Sequence, residues 1–252
     1  MIRFSLILLA TCIAVQAVDS LPPLKKVPQN VAELWAGYDP RKEPLRTEVV
    51  REWEEDGVEV RCVRYFIGSF KGKVAWMAAF YATPKGEKNL PGVLHMHGGG
   101  QRANLHLVKY HARRGHAALS VNWGGRPMEG AKPGEDNTDW GAVDPTQNNV
   151  RGYFNVEPGE KFLDAQESPR NCNWFLLTLG CRRGLTFLEQ QPEVDGDRLG
   201  IRGHSMGGNL TMYVAGTDAR VKVASPSVGG TGFRLDPYYH VPPQIQRVTG
   251  DR

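Results

Sequence analysis

Cysteine is scarce in this sequence: four residues in 252, at positions 12, 62, 172 and 181. None of them pairs with another cysteine or with one of the seven histidines at the close spacing of a zinc site. Three lie beyond the N-terminal segment, an odd number that fits no complete disulfide framework. Cys172 and Cys181 are expected on one helix, in poor geometry to pair with each other. No metal and no cofactor is expected. The sequence also lacks an excess of charge of one sign. Its 31 Lys and Arg stand against 27 Asp and Glu, interspersed, for a net +4. With no basic block, nucleic acid is not an expected partner. Long apolar runs are missing too, apart from Phe4 to Ala14, which is too short for a comfortable membrane span. No internal repeat is visible. What is present, 40% hydrophobic and 23% charged residues, is the composition of a folded chain. The length suits one α/β domain or two small ones.

The short apolar run follows Arg3 and precedes Val15-Gln16-Ala17, a small-x-small cleavage pattern. Residues 1–17 are therefore expected to be a secretory signal peptide, with an uncleaved anchor as the alternative. The protein is expected to be secreted or periplasmic, with no stable membrane span after cleavage. Residues 18–46, rich in Pro and Lys, read as an extended lead-in with a helical patch at Val31–Ala36. Residues 47–252 read as the main domain.

Within that domain, 58–66 and 73–82 are β-rich runs that predict an antiparallel pair. Further strands are expected at 92–96, 116–121, 198–203 and 221–225, and helices at 105–114, 171–190 and 206–215. Strands alternating with helices predict an α/β fold: a mainly parallel sheet with helices on both faces. The stretch 123–170 breaks the rhythm with many Gly, Pro, Asn and Asp. It follows the C-terminal end of a strand, where ligands bind in open α/β sheets, and is expected to be a substrate-side excursion or lid.

Gly203-His204-Ser205-Met206-Gly207-Gly208 carries the strongest chemical signal. It matches the G-x-S-x-G turn that lifts a nucleophilic serine above a sheet. A strand-like segment precedes it and a helix-compatible one follows. His97-Gly98-Gly99-Gly100 comes directly after the 92–96 strand. Acyl transfer places negative charge on the substrate carbonyl oxygen, and two backbone N–H groups should meet it. Met206, next to the nucleophile, is one expected donor. Gly99 is the expected second, with Gly98 as the alternative. His95 and His97 are expected to hold the glycine loop, and His204 to lie beside the serine.

Together, residues 93–100, residues 194–208 and the segment Arg220–Ser227 resemble the acetylxylan esterase and dienelactone-hydrolase-like branch of the α/β hydrolases. The resemblance covers about residues 58–252. It implies an α/β-hydrolase fold and hydrolysis of carboxylic esters, acetylated polysaccharide among them, through an acyl-enzyme on Ser205. It also implies an acid after the seventh core strand and a histidine after the eighth. Only six strands are predicted here, so the last two are expected to be missing and the sequence to be a fragment. Asp236 and His240 have the right chain order for acid and base, but within four residues of proline-rich loop. Two other readings stand beside this one. One is a serine peptidase of the prolyl-oligopeptidase kind, disfavoured by the short segment before the domain. The other is a non-catalytic carbohydrate-binding or interaction protein, in which Trp123, Trp140, Tyr153, Phe154 and Trp174 stack on sugars or simply pack. Oligomeric state is not legible.

Overall fold

The structure, a computed structural model, describes residues 19–22, 24–70, 72–124, 126–132, 136–141 and 168–229. After a short helix α1 (Val31–Leu34) come three strands, β1 (Glu48–Glu55), β2 (Val58–Phe70) and β3 (Lys73–Pro84), then β4 (Leu90–Met96). Helix α2 (Leu105–Ala112) leads to β5 (Ala117–Val121). Past residues outside the description follow helix α3 (Asn173–Glu189), β6 (Val194–His204), helix α4 (Met206–Ala215) and β7 (Val221–Ser227).

The described strands form one sheet in the order β1-β2-β3-β5-β4-β6-β7. Its first three junctions are antiparallel, and β5, β4, β6 and β7 run parallel. The order jumps from β5 back to β4 and on to β6, so the C-terminal ends of β4 and β6 lie side by side. That is the crevice position for ligands in open α/β sheets.

The described residues hold seven strands, not the six predicted. The additional one is β1, whose Glu48, Arg51, Glu52, Glu54 and Glu55 hide any strand period. It lies at the sheet edge and stays largely exposed, so solvation rather than burial set its composition. Strand β6 also begins at Val194, four residues before the expected start.

The core has two layers. On one face Val60, Phe80 and Ala118 pack under Val108 and Ala112 of α2. On the other, Tyr65, Leu94 and Leu119 meet Leu176 and Phe187 of α3 and Leu210 of α4. Helix α3 approaches closely because two of its positions lack a side chain. A Cβ on Gly180 would sit 2.5 Å from Met77 Cε, and one on Gly184 2.9 Å from Tyr65 Oη. Among the described residues no helix is long and apolar enough to cross a membrane.

The lead-in is fastened by two buried arginines. Arg170 donates to the carbonyls of Pro22, Leu34 and Ala36. Arg183, on α3, donates to those of Pro40, Glu43, Pro44 and Phe66 at 2.6–3.1 Å. Each guanidinium offers five N–H groups in a fixed fork, enough to satisfy several buried carbonyls at once.

Candidate active site

Ser205 occupies the single position between the end of β6 and the start of α4, at φ 55° and ψ −117°. A non-glycine residue there is strained by about 1–3 kcal/mol, and the surroundings must hold it. They do so from two sides. Ser205 N–H donates to Ser227 O at the end of β7 (2.8 Å), and Ser205 O accepts from Asn209 N–H in α4 (3.1 Å). The flanking glycines are required by space. A Cβ at Gly203 would run into the carbonyl of Gly207, and one at Gly207 into the carbonyls of Met96 and His97. At Gly208 it would lie 2.7 Å from Ser227 O. The turn is thus wedged between the ends of β4 and β7. Helix α4 has no side-chain cap, so the N–H of Met206, in its first turn, has no partner within the helix.

The glycine loop starts where β4 ends. Gln101 N–H closes a turn on Gly98 O (3.2 Å), and Gly100 takes φ +66° within it. Gly98 is buried, whereas Gly99 and Gly100 are exposed. A Cβ on Gly98 would lie 3.2 Å from His204 O, so the loop touches the serine turn at that residue.

Two histidines support the loop. His97 is buried and stacks on Trp123, with ring centroids 4.6 Å apart and planes 10° apart. Its Nδ1 lies 2.8 Å from Gly98 O; a carbonyl only accepts, so Nδ1 carries the proton. Trp123 Nε1 donates to His97 O at 2.9 Å. Burial pushes the His97 imidazole down to about 4. His95 Nδ1 meets Ser120 Oγ at 2.8 Å, and the same oxygen accepts from Asn104 N–H at the start of α2. Burial, reinforced by His97 and Arg202, pushes His95 down to about 3. Both rings are neutral near pH 7 and are held by groups of the loop's own framework. His204 is exposed, with Nδ1 3.5 Å from Ser227 Oγ.

Ser205, Met206, Gly98 and Gly99 therefore converge at the C-terminal ends of β4 and β6. Asp236 and His240 lie outside the described residues, as do Tyr153, Phe154 and most of the 123–170 excursion. Trp123 and Trp140 are core residues, 0% and 4% exposed, which leaves them no face for a sugar. Trp174 is partly buried, edge-on to Tyr213. Cys172 precedes α3 and does not sit on it with Cys181; both are free thiols, as is Cys62. A cleft lined by Arg41, Arg182, Glu189, Asp218, Arg220 and Lys222 opens at the opposite ends of β6 and β7. Five of these six charges are paired in a chain, with Arg41 and Arg220 on Glu189 and Arg182 and Arg220 on Asp218.

Sequence reading missed two contributors. Ser227 anchors the serine turn through its carbonyl, a backbone contact that leaves no trace in residue type. Gln101 caps Gly98, and its only signal was a polar residue directly after a glycine run.

The acetyl xylan esterase (AXE1) family profile matches residues 13–229. The acetyl xylan esterase from Paenibacillus sp. R4 superposes with a TM-score of 0.55 at 25% identity, covering 74% of this chain and 54% of its own. Acetyl xylan esterase 1 from Thermoanaerobacterium sp. JW/SL YS485 also superposes with a TM-score of 0.55, at 22% identity, over 73% and 52% of the two chains. The chain thus spans about half the length of these solved structures. A search of curated proteins returns no match. With the profile running over most of the sequence and the sheet order on the page, the chain belongs to the acetyl xylan esterase family.

Proposed function

We propose that the protein is a secreted serine carboxylic-ester hydrolase that removes acetyl groups from polysaccharide through an acyl-enzyme on Ser205. The observation that carries this reading is the backbone of Ser205, held at φ 55° above the sheet beside the glycine loop and the start of α4, which no side chain caps among the described residues. In the first step Ser205 Oγ attacks the ester carbonyl. The carbonyl oxygen becomes an oxyanion facing the N–H groups of Met206 and Gly99, with Gly98 as the alternative donor. The alcohol departs with the serine proton, and water then cleaves the acyl-enzyme to release the acid. A base must carry that proton. The family resemblance puts that base and its acid after two further strands; within this sequence Asp236 and His240 have the right chain order and are the candidates to test. The signal-like residues 1–17 and the naming of the Paenibacillus relative support an extracellular acetylated substrate.

The test is labelling by a fluorophosphonate together with hydrolysis of p-nitrophenyl acetate and acetylated xylan. Ser205→Ala is expected to abolish labelling and lower turnover by about 10³-fold or more. Equal labelling of wild type and Ser205→Ala would overturn the reading. Unchanged turnover in His240→Ala would remove His240 as the base while leaving Ser205 in place.

A further inference from the structure

The N–H of Gly98, one of the two candidate donors of the glycine loop, is already engaged. It donates to Gln101 Oε1 at 3.0 Å. The main chain of Gln101 closes the same turn through its N–H to Gly98 O at 3.2 Å, and its own carbonyl accepts from Arg126 N–H at 2.9 Å. Three hydrogen bonds thus meet at this residue, two directed at Gly98 and one at the start of the excursion. On its other side Gly98 is bounded by the serine turn: a Cβ there would lie 3.2 Å from both Gln101 Oε1 and His204 O. The side chain of Gln101, exposed at the surface, thus holds Gly98 where the loop adjoins the residue preceding Ser205. Gly99 follows, exposed, and among the described residues its N–H makes no hydrogen bond.

We propose that Gln101 is a positioning residue for the oxyanion hole. By occupying the Gly98 N–H it fixes the turn so that the Gly99 N–H is presented to the oxyanion. This rests on the serine-hydrolase reading above. It also goes beyond it, by assigning the second donor and naming what orients it. An N–H spent on a side-chain amide is not available to a developing charge, whereas the N–H of its neighbour, which makes no hydrogen bond among the described residues, is free to meet it.

Gln101→Ala separates the possibilities. In the full chain, inactivation by a fluorophosphonate is expected to slow about tenfold in kinact with KI unchanged, because orientation and not binding is lost. An equal rate would overturn the proposal. A faster rate would also overturn it, since it would mean that the freed Gly98 N–H is the donor. Amide hydrogen exchange supplies a readout that needs no activity. Gly98 should exchange more slowly than Gly99 in the wild type, and the difference should vanish in Gln101→Ala. Equal exchange in the wild type would defeat the proposal. Gln101→Glu keeps an acceptor oxygen at the same reach and should keep Gly98 protected; loss of protection there counts against the proposal even if the alanine variant fails to fold. Should the wild type resist labelling altogether, the serine reading falls, and the exchange data still report whether Gln101 holds Gly98.

Discussion

At the scale of single residues, the glycines of the two loops fall into two kinds. Gly207 has an unremarkable φ but no room: a Cβ would overlap the carbonyls of Met96 and His97. Gly100 has φ +66° and open space around it. Gly207→Ala should therefore cost on the order of 3 kcal/mol or more, because strand and helix must part to admit a methyl group. Gly100→Ala should cost only about 1 kcal/mol, the local price of a left-handed backbone for an alanine. Urea unfolding of the two variants measures both; equal losses would mean that space is not what Gly207 provides. Ser205 and its glycines were legible in the sequence because the motif itself is local, Gly203 to Gly208 spanning six positions, whereas its anchors at Ser227, Met96 and His97 are not. The role of Gln101 was not, since it depends on where a side-chain oxygen falls relative to a backbone three residues earlier.

At the scale of elements, α3 does two jobs. Its glycines let it lie close on the sheet, and Arg183 reaches from it across the lead-in. Arg183 is 2% exposed and satisfies the carbonyls of Pro40, Glu43, Pro44 and Phe66. Arg183→Met would take the guanidinium away from those carbonyls, with Thr186 Oγ1 still donating to Pro40 O and Pro44 exposed, a loss of about 1–3 kcal/mol. Limited proteolysis should then cut within residues 24–46 well before the rest of the domain. If the lead-in resists as in the wild type, the clasp is not what holds it. The helices α2, α3 and α4 and the strands β2 to β7 were readable from their periods and flanking glycines, with ends off by a few residues. Strand β1 was not, because an edge strand facing water carries charges where a core strand carries Val and Ile.

At the scale of the molecule, the site rests on a framework of neutral, buried imidazoles. His95 and His97 are held down to about 3 and about 4, chiefly by burial, and the partly buried His111 is held down to about 4 by burial and Arg202. In the unfolded chain the same rings take up protons below about pH 6.5. Their contribution to stability is therefore complete above pH 6.5 and shrinks as the pH falls toward 4. At pH 5 the loss should be on the order of 2 kcal/mol for each of His95 and His97. Denaturant unfolding at pH 7.5 and 5.0 should differ accordingly; a flat profile would mean that these rings are not held neutral. The sheet with helices on both faces was legible from the alternation of strands and helices. The juxtaposition of β4 with β6, which brings the two loops together, came only with the strand order.

The arginine clasp has a consequence for how the lead-in can change over time. Arg170 and Arg183 grip its carbonyl oxygens, and every amino acid carries the same carbonyl. The clasp reads the path of the chain and is blind to its letters. Exposed lead-in positions such as Lys42 are free to drift, whereas one inserted residue between Ala36 and Pro40 would throw the two grips out of step.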